Sequence, residues 1–404
     1  MKQSFEVGGV RLAQPFRIRR LGHFGYNVTD PVSALRFYRD LLGMKVSDPL
    51  DFGPRLKEED RERVGHSKGY FMRHGTEHHA FVLFPKKVMD VLNPHYKSCP
   101  ENTSNQITWQ VGSLREVLDG HQWFEETGRK VLRAGRDIPG SNWHFYPPDP
   151  DGHVNELFYG IEQIGWSGHS KPRVLHSTRY EKPPALPHHS EEQEVNRALE
   201  QGVEVEQGYR HVEALPETHD VDGILLARPF KVVKMGPVRL FVNDVEKALA
   251  FYRDDLGLRV TETIEYQGHA CVFLRANTDH HVIALYPKAL REALGMSPHT
   301  TTFSFGFQLA NYAQLKQALG FLREQGVQLK TLPPELFPGM GPSVMALDPD
   351  GHAIQLYHAM EQIGWEGRPS PASQRQAFDQ DQWPETWEGE SDSYGGEVFL
   401  GPWN

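Results

Sequence analysis

The chain is poor in cysteine, in surplus positive charge and in long apolar runs. Only two of its 404 residues are cysteines, Cys99 and Cys271, which excludes a disulfide framework and a thiolate metal site. Its formal net charge of -10 leaves no basic excess to neutralise phosphates, which argues against a nucleic-acid partner. No apolar run reaches the roughly 18 residues of a membrane span, and the first residues lack a signal-peptide core. These absences predict a soluble, cytoplasmic protein with no membrane partner.

What the chain does contain is an internal repeat. The segment from Phe5 to His23 returns, with changes, from His219 to Pro237, and the pentapeptide EQIGW occurs twice, letter for letter. A repeat of this length indicates a duplicated domain. We therefore expect an N-terminal domain at 1–168, a connector with a helix at 169–218, a C-terminal domain at 219–367 and an acidic, tryptophan-containing tail at 368–404.

Each copy has the pattern of two smaller units. Leu21 to Val28 is rich in aromatic and β-branched residues, which favours a strand. Asp30 and Pro31 then supply an N-cap and a first helical residue, and Gly43 is typical of the position just after a helix. Three strand-like segments follow before Gln106 begins a second unit on the same plan. The sequence predicts an α+β fold of four βαβββ units, two in each domain.

The last strand of the first copy contains a carboxylate that needs an explanation. The segment Asp149 to Gly152 has the composition of a tight turn, and it leads into an apolar strand that includes Glu156. A buried carboxylate is energetically costly unless it is paired or binds a metal. On this strand alone, a salt-bridged glutamate and a metal ligand are both open interpretations.

The fourfold unit, the FYRDLLG segment and the DPDGHVNEL segment together resemble the vicinal oxygen chelate superfamily. This superfamily includes glyoxalase I, bleomycin-resistance proteins and type I extradiol ring-cleaving dioxygenases. The resemblance extends over most of 5–168 and 219–367. It implies two tandem glyoxalase-like or extradiol-dioxygenase-like domains, in which paired units form a cup of strands around one divalent metal.

Within that superfamily the chain is most similar to the extradiol dioxygenases, and this resemblance implies a set of site residues. The metal ligands of the family fall on His23, Gln106 and Glu156, its acid–base histidine on His79 and its substrate-binding tyrosine on Tyr146. Gln106 departs from the family, which has a histidine there, although glyoxalase I uses a glutamine ligand. If Gln106 does not bind the metal, His79 or another histidine would serve instead.

The second copy lacks most of this set. Its counterparts of His23, Gln106, Glu156 and Tyr146 are Pro237, Ser304, Gln355 and Met345, whereas His281 is kept. A single histidine in a strand is ordinarily a core residue. The joint loss of the first-strand histidine and the last-strand carboxylate is, however, what a ligand pair predicts. We therefore expect the metal site in the N-terminal domain and none in the C-terminal domain.

These residues lead to the hypothesis of an extradiol-type dioxygenase that cleaves a catechol-like aromatic with O2. The expected metal is Fe(II), with Mn(II) as the alternative; the expected partners are the aromatic substrate, O2 and further copies of the chain in a homo-oligomer. One alternative function is a non-redox lyase or isomerase of the glyoxalase kind with Zn(II) or Ni(II), which Gln106 favours. Val82 disfavours it, because glyoxalase I has a fourth ligand at that place. The other alternative is a metal-free module that binds a small molecule.

Overall fold

Each copy of the repeat forms one eight-stranded sheet and one short hairpin in the computed structural model, which describes residues 4–136, 139–176, 183–376, 378–379 and 382–387. The first copy contains β1 (Phe5–Val7), β2 (Val10–Leu12), β3 (Arg20–Val28), β4 (Lys45–Asp51), β5 (Lys68–Arg73), β6 (Phe81–Pro85), β7 (Ser104–Gln110), β8 (Ala134–Arg136), β9 (Trp143–Phe145) and β10 (Asn155–Tyr159). The second contains β11 (His219–Val221), β12 (Ile224–Leu226), β13 (Val232–Val242), β14 (Arg259–Tyr266), β15 (His269–Arg275), β16 (Ile283–Pro287), β17 (Thr302–Leu309), β18 (Leu329–Lys330), β19 (Ser343–Leu347) and β20 (Ala353–Tyr357).

The strand order confirms the predicted α+β fold of four βαβββ units. The first sheet has the order β4-β5-β6-β3-β7-β10-β9-β8, and the second repeats it with every strand number raised by ten. The central strand β3 pairs in parallel with β6 and antiparallel with β7, and β7 pairs in parallel with β10. The first strands of two units and the last strand of the second unit therefore lie side by side in the middle of each sheet.

Short helices connect the strands. They are α1 (Pro31–Leu35), α2 (Glu58–Val64), α3 (Lys86–Leu92), α4 (Pro94–Ser98), α5 (Leu114–Glu126), α6 (Glu191–Glu200), α7 (Val245–Leu249), α8 (Ala289–Ala293) and α9 (Tyr312–Glu324). Single 3-10 turns lie at Gly53–Arg55, Arg173–Leu175, Val205–Gln207, Pro334–Leu336 and Ala372–Gln374. Asp30 caps α1 as predicted, but the helix continues as a π-helix over Arg36–Leu41, and Ala250–Asp255 does the same in the second copy.

The two sheets share one hydrophobic core on their outer faces, and each keeps a separate cluster inside its cup. Phe24 and Tyr26 of β3 belong to the shared core, where Phe24 stacks on Phe305 with ring centroids 4.2 Å apart. Val82 and Tyr146 belong to the cluster inside the first cup. Because side chains alternate along a strand, the residues of β3 between the core positions face the inside of the cup.

Reciprocal hydrogen bonds also join the copies. The Tyr38 hydroxyl donates to Asp348 of the second copy at 2.9 Å, and the Tyr252 hydroxyl donates to Asp149 of the first copy at the same distance. Each aspartate also binds the ring of the histidine in its own DPDGH turn. The repeated tyrosines and DPDGH turns are therefore structural, as their presence in both copies suggests.

Replacing Tyr252 by Phe is expected to lower the free energy of unfolding by about 1–3 kcal/mol, because the buried Asp149 carboxylate loses a donor. Urea denaturation measures this change. The matched control is Tyr159→Phe, since Tyr159 is exposed at 38% and the same deletion there should change stability by less than about 0.5 kcal/mol. Equal effects in the two variants would contradict the structural role of Tyr252.

The connector and part of the tail pack on the domains. In the connector, Glu194 of α6 accepts two hydrogen bonds from Arg136 of β8, at 2.9 and 2.7 Å. In the tail, the backbone oxygen of Pro384 accepts a hydrogen bond of 2.6 Å from Tyr312, near Trp383 and Trp387. Residues 388–404, which include Trp403, lie outside the described residues. No helix in the described part of the chain is long and apolar enough to cross a membrane.

Candidate active site

Three adjacent strands bring His23, Thr108 and Glu156 into one row. Thr108 of β7 pairs in register with Glu156 of β10, and on its other side its hydroxyl binds the backbone of His23. The Thr108 Oγ1 accepts from the His23 N–H at 2.5 Å and donates to the His23 carbonyl at 2.7 Å. These bonds lie where the register of β3 against β7 shifts, between Leu21 and Phe24. The bulge directs the His23 ring towards Glu156.

The Glu156 carboxylate is fully buried. Its Oε2 lies 3.1 Å from His23 Nε2, and its Oε1 accepts a 2.5 Å hydrogen bond from Asn142 Nδ2. His144 Nδ1 lies 3.7 Å from the same Oε1. Within the described residues, no lysine or arginine pairs with Glu156. A buried carboxylate with only imidazole and amide neighbours is suited to bind a cation.

His79 links this pair to a cavity. The centroid of its ring lies 4.3 Å from that of His23, and the side chain is buried. His79 also lines a cavity of about 310 Å³ whose walls include Phe71, Phe84 and Tyr146. A cavity of this size is at the lower end of the range for small-molecule sites, and its walls combine aromatic side chains with polar groups such as Gln106 and Arg133, a lining that suits an aromatic ring with polar substituents.

Gln106 lies on the cup side of β7 but makes no bond with the other predicted ligands. It is two residues before Thr108 and therefore on the same face of the sheet, and it lines the same cavity as His79 and Tyr146. Within the described residues its side-chain amide makes no hydrogen bond. In that part of the chain, histidine, cysteine and acidic side chains alone form no group of three that could hold a metal ion. A three-ligand site here therefore requires a ligand of another type.

The structure thus brings together His23, His79 and Glu156, and it places Gln106 and Tyr146 on the wall of the adjoining cavity. Arg133 stacks on the Tyr146 ring, with its guanidinium carbon 4.2 Å from the ring centroid. Two residues of this site were not predicted from the sequence: Thr108 holds the backbone of His23, and Asn142 holds the carboxylate of Glu156. No motif marks either residue, because each acts through a pairing that only the folded sheet creates.

In the second cup, a guanidinium group lies among the counterparts of the predicted ligands Gln106 and Glu156. Arg239 of β13 pairs with Ser304, as Gly25 of β3 pairs with Gln106, and its side chain is fully buried. It donates to the Gln355 amide oxygen, to His281 Nε2 at 2.9 Å and to Ser304 Oγ at 3.3 Å.

Arg239 was not predicted from the sequence either, although a charged residue in the apolar segment VVKMGPVRLFV was a visible signal. Among the described residues no carboxylate pairs with it. Burial lowers the pKa of the Arg239 guanidinium from its ordinary value. The second cup therefore contains its own cation, surrounded by neutral groups.

Comparisons with known proteins agree with this fold. A profile described as Glyoxalase/Bleomycin resistance protein/Dioxygenase superfamily matches residues 20–157 and 234–356. Metapyrocatechase 2 of Cupriavidus necator is 28% identical over 160 residues, which cover 39% of this chain and 42% of that protein. The chain therefore matches only about two fifths of the length of this relative.

Two solved structures are similar to nearly the whole chain. The Mn(II)-bound glyoxalase from Novosphingobium aromaticivorans has a TM-score of 0.54 at 16% identity, and the match covers 87% of this chain and 85% of that one. Homoprotocatechuate 2,3-dioxygenase from Brevibacterium fuscum, in complex with 3,4-dihydroxyphenylacetate, has a TM-score of 0.52 at 17% identity, covering 89% and 86%. At these identities the likeness shows the fold alone.

Proposed function

This chain belongs to the Glyoxalase/Bleomycin resistance protein/Dioxygenase superfamily, and we propose that it is a metal-dependent extradiol-type dioxygenase with its active site in the N-terminal copy. The substrate is a catechol-like aromatic. Both atoms of O2 enter the product, a ring-opened muconic semialdehyde, so the reaction needs no external reductant. The observation that carries this proposal is the buried Glu156 carboxylate, which contacts His23 and lies beside an aromatic-lined cavity.

The donor set fits a divalent metal. His23 and Glu156 supply an imidazole nitrogen and a carboxylate oxygen, and Gln106 supplies an amide oxygen from the same face of the sheet. Nδ1 of His23 is buried without a hydrogen-bond partner in the described part of the chain. No second acceptor there determines which nitrogen of this ring bears the hydrogen. We propose Fe(II) as the metal, with Mn(II) as the alternative. The chemistry it supplies when bound is Lewis-acid activation of the catechol hydroxyls and a binding position for O2.

The cavity and two side chains perform the remaining steps. Phe71 and Phe84 hold the aromatic ring by apolar contact and exclude water from it. His79 accepts the proton of a catechol hydroxyl at a ring nitrogen and later returns it to the product. Tyr146 donates a hydrogen bond to a substrate oxygen, where negative charge develops.

A non-redox lyase or isomerase of the glyoxalase kind is the second candidate, because Gln106 is on the cup face. The position that would supply a fourth ligand is Val82, which packs inside the first cup and offers no donor atom. A metal-free binding module is the weakest fit, since binding an uncharged molecule requires no buried carboxylate next to a histidine. The arrangement favours the dioxygenase.

An oxygen electrode tests the proposed function. Protein loaded with Fe(II) under anaerobic conditions should consume O2 and catechol in equal amounts. His79→Ala should lower kcat by about 10²–10⁴-fold, because proton transfer from the substrate is lost, while the metal content is kept. The matched control is His281→Ala in the second copy, which should keep kcat. Absence of O2 uptake over a panel of catechols, combined with isomerase activity of Zn(II)-loaded or Ni(II)-loaded protein, would support the second candidate instead.

A further inference from the structure

A chain of hydrogen bonds runs from β4 to the proposed acid–base histidine. The Asp48 carboxylate lies 2.8 Å from Nε2 of His78, and Nδ1 of His78 lies 3.0 Å from Nδ1 of His79. Both imidazole rings are buried. Gly140 packs against them so closely that a Cβ atom there would lie 2.7 Å from Cε1 of His79. The positions of the two rings are therefore restricted by packing as well as by hydrogen bonds.

The second copy contains the same series of hydrogen bonds. One additional donor there, Arg239, determines the direction of every bond in the series. Glu262 lies 3.0 Å from Nε2 of His280, and Nδ1 of His280 lies 3.0 Å from Nδ1 of His281. Arg239 lies 2.9 Å from Nε2 of His281. A guanidinium can only donate, so Nε2 of His281 is the acceptor and its Nδ1 bears the hydrogen.

The remaining protons follow from this assignment. Because Nδ1 of His281 donates, Nδ1 of His280 accepts, and Nε2 of His280 donates to Glu262. Arg375 donates to the same Glu262 carboxylate with a shortest distance of 2.6 Å, so this carboxylate accepts from both groups. Burial, together with the nearby Arg239, lowers the pKa of His281 and so keeps its ring neutral.

The first copy has the same 3.0 Å distance between the two Nδ1 atoms, and Asp48 is the counterpart of Glu262. Asp48 pairs in register with Phe71, as Glu262 pairs with Phe273. By analogy with the second copy, Nε2 of His78 donates to Asp48, and Nδ1 of His78 accepts from Nδ1 of His79. Nε2 is then the His79 nitrogen that bears a lone pair. In the second copy Arg239 donates to the equivalent nitrogen, and in the first copy His79 lines the proposed substrate cavity.

We propose that Asp48 and His78 are positioning residues that hold His79 as the tautomer with a protonated Nδ1 and a proton-accepting Nε2. This inference rests on the proposed role of His79 in removing a proton from the substrate. The opposite tautomer would present an N–H where the catechol hydroxyl needs an acceptor. The Asp48–His78 pair therefore determines whether His79 can begin the reaction.

Kinetics on the Fe(II)-loaded full chain test the effect of the pair. Asp48→Asn and His78→Phe should each lower kcat by about 10- to 100-fold, as the loss of an orienting partner does elsewhere, with KM for catechol and metal content unchanged. Asp48→Glu should restore kcat, because the second copy makes the same bond with a glutamate. The matched controls, Glu262→Gln and His280→Phe, should keep kcat. Equal losses in the two copies, or no loss in the first, would overturn the proposal.

The tautomer itself can be measured without turnover. In Zn(II)-loaded full chain with ¹⁵N-labelled histidine, NMR should show His79 with hydrogen on Nδ1 in the unmodified protein and not in Asp48→Asn. A hydrogen on Nε2 of His79 in the unmodified protein would overturn the proposal, whether or not catechol is cleaved. Failure of O2 uptake alone, with the expected tautomer observed, would instead count against the dioxygenase function and leave the tautomer assignment supported.

Discussion

Gly25→Arg combined with Val82→Ala is expected to abolish metal binding and O2 uptake while the fold is kept. The two residues pair in the first sheet, and their counterparts Arg239 and Ala284 pair in the second. A Cβ atom on Gly25 would lie 2.1 Å from a Val82 methyl carbon and 2.9 Å from the Val82 carbonyl oxygen, so arginine fits only when the valine is shortened and this carbonyl shifts slightly. In the second copy the smaller Ala284 stands opposite the arginine.

The double variant would place a guanidinium among the groups proposed to bind the metal. Two cations cannot share the buried Glu156 carboxylate, because their repulsion in a site of low dielectric is strong. We expect metal content to fall from about one ion per chain to less than about a tenth of that. The measurement is metal analysis together with circular dichroism. Val82→Ala alone is the control and should keep the metal; a folded double variant that also keeps it would contradict the proposed position of the site.

Arg239→Ala is expected to lower the free energy of unfolding by about 3–5 kcal/mol, although Arg239 lies in the copy without proposed chemistry. The substitution removes a fully buried side chain and leaves a cavity. It also leaves the Gln355 oxygen and the His281 Nε2 without their donor, and buried acceptors without donors are costly. Urea denaturation of the metal-free protein measures the change.

Two variants separate the possible sources of this loss. Arg239→Met keeps most of the volume and removes the buried charge, so it should cost less than Arg239→Ala. Arg253→Ala removes an arginine whose side-chain exposure is 46%, and it should cost much less than Arg239→Ala. A loss below about 1 kcal/mol for Arg239→Ala would mean that the guanidinium does not hold the second cup together.

The duplication allowed the fold to be predicted from the sequence. Repeated segments identified two copies, and the capping residues Asp30 and Gly43 located the helix of the first unit. The π-helical continuation over Arg36–Leu41 was not predictable, because its hydrophobic spacing also fits an α-helix. The strands β8 and β9 were expected only by analogy with the first unit, since each is three residues long and shows little alternation.

The candidate site was less accessible to sequence reasoning. His23, His79 and Glu156 could be chosen from the resemblance and from the loss of two of them in the second copy. Thr108, Asn142 and the Asp48–His78 pair depend on register and on contacts between distant segments, which a sequence does not display. Arg239 could have been questioned as a charge in a buried strand, but only the structure shows that it occupies the second cup.

Metal content of protein purified without oxygen, measured for the unmodified chain and for His23→Ala, Glu156→Gln and Gln355→Ala, tests the N-terminal site most directly. About one Fe or Mn ion per chain should bind to the unmodified protein and to Gln355→Ala, whose change lies in the second cup. Both His23→Ala and Glu156→Gln should lose the metal, because each removes one of the proposed metal ligands. An unmodified protein without metal, or metal that persists in both N-terminal variants, would contradict a metal centre at His23 and Glu156.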